Sequence, residues 1–409
     1  MQLFLRLAWR NIWRHRRRTF IIVAAMALAL AMMMMYDGLV DGFNNAIYGN
    51  AIRVLGGNIQ VHAAGYRAKV DSNPLIPLAN DEAVVQAAKA HPDVVTAARR
   101  IQTGGLMSNR EGAFSISIIG IEPEAEAPVS LIKENIEAGR WLNADDQDVA
   151  LIGRGLADVM GVQVGDRITM VGSDLHKQNR QRTMSVIGIY NIDMPSIEKQ
   201  TVYISLAEAQ SLFDLRNQST EVQITLNNVG QEARVVNALI PAMPGYEVES
   251  WDKNYPEIAS ALTSKNFIMD IFSVIIEVIA GIGVLNLLLM AVFERTREIG
   301  LLGAMGLKPR QIATLFILEG TMIGVVGVIV GAVLGMAFNA SFQRVGFDYS
   351  SFASAAEFMA LINGRVYPSL GLGKLFGRAL TVLIITTLAA WIPAREASHR
   401  EPAQALHYV

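Results

Sequence analysis

The chain has 409 residues, of which 52% carry apolar side chains and 18% are charged, with a mean hydropathy of +0.31 and a net charge near −2. That is too apolar for an ordinary soluble enzyme and too interrupted by polar stretches for a bundle lying wholly in the membrane, so a mixed membrane and soluble protein is expected. No basic domain or stripe suited to nucleic acid is present beyond a short N-terminal cluster, and the lack of Cys excludes disulfides, thiolate metal sites and a Cys nucleophile.

The N-terminal LFLRLAWRNIWRHRRRTF places Arg6, Arg10, Arg14 and Arg17 at helical spacing, with Leu3, Leu7, Trp9 and Trp13 supplying apolar and interfacial surface. Residues 1–18 therefore read as an amphipathic elbow helix against anionic headgroups. A secretory signal peptide is the alternative, because AMALALA offers small-residue cleavage sites. Six Arg and two Trp in eighteen residues favour an uncleaved anchor. A first apolar run, Thr19 to Tyr36, is expected to continue as a helical stalk, so that residues 19–56 form the first transmembrane helix and its extension. Three further apolar runs follow after a long gap: Phe267 to Phe293, Ile312 to Phe338, and Leu375 to Ile392. The positive-inside rule puts both termini and residues 294–311 in the cytoplasm, with residues 37–266 and 339–374 outside. Lys374 and Arg378, at the outer end of the last run, fit this rule poorly.

Residues 57–250 read as an α/β domain. GGNIQVHAAGY, FSISIIGIEP, DRITMV, TMSVIGIY, QTVYIS and TEVQITL have strand character, and DEAVVQAAKAHP, GRGLADVMG, LAEAQSLF and GQEARVVNALIPAM have helix character. Gly165-Asp166 reads as a turn into a strand. The six His lie singly at 15, 62, 91, 176, 399 and 407 with no metal-binding spacing. GRGLAD lacks the third Gly of a dinucleotide loop. SLGLGKLF lacks the leading Gly and the following Ser or Thr of a P-loop, so no nucleotide site is expected on this chain.

Within the later runs, Gly320, Gly324, Gly327, Gly331 and Gly335 form a small-residue stripe on one helical face, which permits close packing against a neighbouring helix or a partner subunit. Glu277 and Glu319 fall inside apolar runs; they either line a cavity or hold helices together by hydrogen bonding. Between the second and third runs, Glu294, Arg295, Arg297 and Glu298 precede Ile299, Leu301, Leu302, Met305 and Leu307. Gly300, Gly303 and Gly306 allow bends, and Pro309 is placed to begin the next helix. Charged ends with an apolar flank suit docking into a groove of another protein.

ERTREIGLLGAMGLKPRQIATLFILEG resembles the signature of FtsX/MacB-type (type VII) ABC transporter permeases, and WIPAREASHREPAQALHYV resembles their closing pattern. RLAWRNIWRHRRRTF is similar to their elbow, while GGNIQVHAAGY and GRWLNADDQDVALIGRGLADVMGVQVGDRITMV resemble the outer domain of the lipoprotein-releasing LolC/LolE branch. The resemblance covers the chain in the expected order.

It implies one-plus-three transmembrane helices around an extracytoplasmic domain with porter-like and sabre-like parts. In chain order these are an elbow at 1–18, a first helix and stalk at 19–56, the periplasmic domain at 57–250, and a stalk and second helix at 251–293. A coupling segment at 294–311, a third helix at 312–338, an outer loop at 339–374, a fourth helix at 375–392 and a tail at 393–409 follow. It further implies a non-enzymatic permease subunit in the bacterial inner membrane, paired with a second copy or paralogue and driven by cytoplasmic ATPase subunits that hold ATP and Mg. Coupling would run through Glu294, Arg295, Arg297, Glu298, Ile299, Gly300, Ala304, Met305 and Gly306. The mechanism would be mechanotransmission onto a lipoprotein, lipid or other amphiphile, with a periplasmic carrier or adaptor as a possible partner. The family also contains FtsX-like scaffolds that activate a cell-wall hydrolase and MacB-like tripartite exporters of peptides or small molecules. Two departures stand out: Gly303 replaces the basic residue frequent before the Ala of the coupling motif, and VGSDLHKQNRQRTM, where LolC carries a Pro- and Met-containing hook, is polar and lacks Pro.

Overall fold

The computed structural model describes residues 2–14, 16–72, 75–109, 112–293, 301–302, 304–348 and 365–398. They fall into two compact units: a helical one, drawn from the described parts of 1–43, 262–348 and 365–409, and an α/β one spanning 44–261.

Gln2–Arg14 forms a helix, and Arg16–Leu55 a continuous helix of 40 residues. At 1.5 Å per residue that is about 60 Å, roughly twice a bilayer's hydrocarbon thickness. The helix begins three residues before the expected boundary. Asp37-Gly38, which looks like a breaker in sequence, leaves it unbroken: Gly38 is there because a β-carbon would lie 2.5 Å from the Ser369 carbonyl oxygen. The other long helices are Pro256–Phe293, Pro309–Val345 and Leu372–Ser398. These four, among the described residues, are long and apolar enough to cross a membrane. The last two overrun the boundaries expected from hydropathy, because capping and chain direction, not apolarity, end a helix. We refer to the four as the first to fourth spans.

The glycine stripe packs inside this chain and divides between two neighbours. A β-carbon at Gly320 would lie 2.5 Å from that of Ala390, and Gly324 faces Leu383 and Thr386, so the first part of the stripe seats the fourth span. Gly327, Gly331 and Gly335 face Met26, Ala27 and Met34 of the first span, Gly331 so closely that a β-carbon would lie 2.9 Å from the Ala27 carbonyl oxygen. Small residues let the backbones approach on both sides of the third span. Ile22, Met26, Leu30, Met34, Val284, Ile323 and Val382 complete the apolar core around them.

The α/β unit is built on a ten-stranded sheet. Its strands are β1 (Ile59–Ala63), β2 (Val94–Ser108), β3 (Ala113–Ile121), β4 (Ile136–Gly139), β5 (Val149–Gly153), β6 (Arg167–Ser173), β7 (Asn179–Tyr190), β8 (Thr201–Ser205), β9 (Glu221–Leu226) and β10 (Tyr246–Ser250). The order is β10-β1-β9-β2-β3-β8-β5-β7-β4, with β6 bridging β2 and β7. Two apolar cores result. Ile59, Val61, Val222, Ile224 and Ala97 pack beneath the helices Asp81–Lys89 and Glu232–Leu239. Ile118, Ile152, Ile168, Met184, Val202 and Phe213 form the second, with the helices Arg154–Met160 and Leu206–Phe213. Gly165, at φ +98°, turns the chain into β6 as its sequence suggests.

Strand alternation puts a row of buried polar residues on the sheet face opposite the first core. His62 lies across from Glu221 in the β1–β9 register, and Glu221 across from Arg100 in the β2–β9 register. His62 Nε2 is 3.0 Å from Glu221 Oε2, and Arg100 donates to both oxygens of Glu126 at 2.5 Å. Burial pushes the Glu221 carboxyl up, but the His62 and Arg100 contacts outweigh it and hold the group below the ordinary carboxylate range. Burial likewise works against the Arg100 charge, and the Glu126 carboxylate more than offsets it, so the guanidinium stays protonated.

Candidate coupling segment and intramembrane charge cluster

Of the residues expected to couple to a motor, Glu294, Arg295, Arg297, Glu298, Ile299 and Gly300 lie outside the described residues, as does Gly303. Leu301, Leu302, Ala304, Met305 and Gly306 are placed. The helical turn ends when the Leu307 amide donates back to the Leu302 carbonyl at 3.2 Å and Gly306 adopts φ +92°. That is a Schellman-type termination, which needs a left-handed residue and hence glycine. It splits the apolar residues into two sets. Leu302 and Leu307 turn inward against Ile312 and Phe316 of the third span. Leu301 and Met305 point outward, 54% and 63% exposed, with Ala304 beside them. Pro309 occupies the first turn of the third span as anticipated, and Gln311 Oε1 accepts from the Lys308 amide at 2.9 Å. The outward pair is thus an exposed apolar flank beside a turn that packs against the end of that helix.

Glu319 is buried in the third span, with Asn11 of the elbow helix donating toward its Oε2 at 3.5 Å.

Glu277 belongs to a larger cluster that sequence alone did not assemble. Arg378 of the fourth span donates through Nε to Asp37 Oδ2 at 2.9 Å and through Nη2 to Asp37 Oδ1 at 3.0 Å. Its Nη1 donates to Glu277 Oε2 at 2.9 Å, and it also contacts the Ser273 hydroxyl. Lys374, one turn away on the same face, lies 3.5 Å from Asp270 and 3.9 Å from Asp37. The first span contributes Asp37, the second Asp270, Ser273 and Glu277 at i, i+3 and i+7, and the fourth Lys374 and Arg378. Tyr36 donates to the Met269 carbonyl at 2.8 Å beside it, and Asn339 of the third span donates to the Met34 carbonyl at 2.9 Å. Buried charges of this kind are tolerated only when paired. The missed signal was available: Lys374 and Arg378 violate the positive-inside pattern, while Asp37 closes the outer end of the first apolar run and Glu277 lies inside the second.

Two family models match the chain. An FtsX-like permease C-terminal family model matches residues 271–402, and a MacB-like periplasmic core domain model matches residues 19–242. The chain is an FtsX/MacB-type ABC transporter permease. Among curated relatives, the lipoprotein-releasing system transmembrane protein LolC of Neisseria meningitidis serogroup B is 22% identical over 406 residues, covering 95% of this chain and 94% of that protein. LolE of Haemophilus influenzae is 23% identical over 317 residues, covering 74% of each chain. The macrolide export ATP-binding/permease protein MacB of Neisseria gonorrhoeae is 22% identical over 414 residues, covering 98% of this chain and 60% of its own length. Among solved structures, the periplasmic region of MacB from Actinobacillus actinomycetemcomitans aligns with a TM-score of 0.35 at 12% identity, covering 50% of this chain and 92% of that one. The permease therefore lies near the LolC/LolE branch, and the first feature that marked it, the segment around Met305, falls inside the FtsX-like match.

Proposed function

We propose that this permease couples ATP hydrolysis on a separate cytoplasmic ATPase to movement of its extracytoplasmic α/β domain, and that it handles a lipoprotein, lipid or other amphiphile at the outer leaflet. Both termini and the 294–311 segment face the cytoplasm in this reading, ATP and Mg bind on the partner, and a second permease copy or paralogue completes the complex. The observation that carries it is the exposed Leu301–Met305 flank, welded by the Gly306 turn and the Leu302 and Leu307 contacts to the third span. A solvated loop needs no such anchor, whereas a surface that passes on a push from another protein does. The polar tip joining β6 and β7 is closed by Asp174, which accepts from the His176 and Gln178 amides at 2.9 Å. A polar cap of this kind favours recruitment of any periplasmic carrier or adaptor elsewhere on the domain.

The test is co-purification of the full chain with its ATPase in nanodiscs. Met305→Glu and Glu298→Ala are expected to abolish ATPase association or its stimulation by the permease. An intact complex with unchanged turnover overturns the coupling assignment. Capture of a cell-wall hydrolase by the complex, in place of a lipoprotein or lipid, would move the reading to an FtsX-like scaffold, and capture of an outer-membrane-directed adaptor would move it to a MacB-like exporter.

A further inference from the structure

The charge cluster is uneven, and the unevenness follows the helices. Asp37, 1% exposed, has both oxygens paired to one guanidinium. This fork-on-fork arrangement is the strong form of the ion pair, fixing geometry as well as charge. Glu277 supplies one oxygen to Arg378, and its other oxygen, Oε1, is buried with no protein partner. Asp270 reaches Lys374 at 3.5 Å through a side chain that is 66% exposed. The first and fourth spans are therefore joined tightly, and the second is joined to both by weaker, half-satisfied contacts.

Apolar packing repeats the pattern. The third span buries eleven residues, from Ile312 to Asn339, against its neighbours. In the second span, residues 263–283 include one buried residue, Ser273, which is itself part of the cluster. Val284 is where this helix re-enters the apolar core. Over the roughly five turns from 267 to 283, then, Ser273, Glu277, Asp270 and the Tyr36–Met269 hydrogen bond tie the second span to this chain, with Gly281 against Ile385 of the fourth span just beyond them.

We propose that the cluster is a clasp with a fixed half, Asp37–Arg378, and a releasable half, Glu277 and Ser273 on Arg378 with Asp270 on Lys374, and that the second span detaches there during the transport cycle while the first and fourth stay joined. Release leaves Arg378 neutralised by Asp37, so one buried pair survives the movement, and the carboxylates that lose a partner are Glu277, already half-satisfied, and Asp270, on an exposed side chain. Packed cores are bistable, and an all-or-none polar contact suits an element with two positions. The release step rests on the permease reading above; the clasp itself does not.

The natural chain has no cysteine, so Gly281→Cys with Ile385→Cys creates a single pair at a site where a β-carbon on residue 281 would lie 3.4 Å from Ile385 Cγ2. The full complex with its ATPase is placed in nanodiscs and oxidised, and the rate of disulfide formation is followed without nucleotide and after trapping with ATP and vanadate. We expect fast cross-linking without nucleotide, a fall of fivefold or more on trapping, and a similar fall without nucleotide when Glu277→Gln is added. Asp270→Asn, on an exposed side chain that cannot disturb packing, is expected to give a smaller fall in the same direction. Unchanged rates in both E277Q and D270N overturn the clasp. Rates that respond to those variants but not to trapping, in a complex whose ATPase turns over, overturn the release step. A complex without permease-dependent ATPase activity marks failure of the permease reading, and the variant arm still decides the clasp.

Discussion

Arg378 and Asp37 face each other as a two-bonded pair, 2.9 and 3.0 Å between helices that enter the sequence some 340 residues apart. Removing one member of a buried pair strands the other, at a cost of about 3–5 kcal/mol. Arg378→Ala is therefore expected to lower the melting temperature of the detergent-solubilised permease clearly. Arg378→Lys, which keeps the charge and loses the fork, should fall between it and the natural protein. A melt of R378A that overlays the natural one would show that the pair contributes nothing.

The second and third spans give a contrast within one residue type. Gly331→Ala would push a methyl group against the Ala27 backbone, and overpacking of this kind costs about 1–3 kcal/mol. Gly283→Ala meets no atom within 4 Å, and replacing a helical glycine with alanine stabilises by up to about 1 kcal/mol. Thermal melts of the two variants should move in opposite directions.

For the polar sheet face, Arg100→Met alone leaves Glu126 buried and unpaired, an expected loss of about 3–5 kcal/mol, while Arg100→Met with Glu126→Leu should recover most of it. Chemical unfolding followed by tryptophan fluorescence measures both. A double variant as unstable as the single would mean that the surrounding polar residues, Glu221 included, depend on the Arg100 charge.

Acid should act on the α/β unit through Asp146. Its carboxyl is held below the ordinary range chiefly by the Arg140 side chain, which donates to both oxygens at 2.7 and 2.8 Å. A depressed folded-state pKa contributes stability above the unfolded value and loses it as pH falls through the folded one. The destabilisation caused by Arg140→Gln should accordingly be present at neutral pH and shrink toward acid. A difference that stays constant down to the acid transition would argue against the charge and for packing.

Much of the fold was legible because it repeats. Four apolar runs, the strand alternation of Ile59–Ala63 or Glu221–Leu226, and the Pro309 start of the third span each follow from local pattern. β2 was missed: VVTAARRIQTGGLMS reads as neither alternating nor helical, since Arg100 is buried by a partner 26 residues away and Gly105 is small because Ile118 and the Val171 carbonyl crowd it. β4, at four residues, is too short to show a period. The charge cluster escaped for a different reason. Asp37, Glu277 and Arg378 each look anomalous singly, and only the meeting of three helices cancels the anomalies.

The stripe on the third span has a mechanical side. Gly331 sets its backbone against the Ala27 carbonyl and the Leu30 β-carbon, and Gly320 against the Ala390 β-carbon, groups that have no rotamers to absorb a displacement. A joint of long side chains yields before it transmits, whereas one of bare main chain has almost no play. At Gly331 and Gly320 the third span is therefore set stiffly against the first and fourth, while the Met26, Met34 and Leu383 side chains along the rest of the stripe leave room for small adjustments.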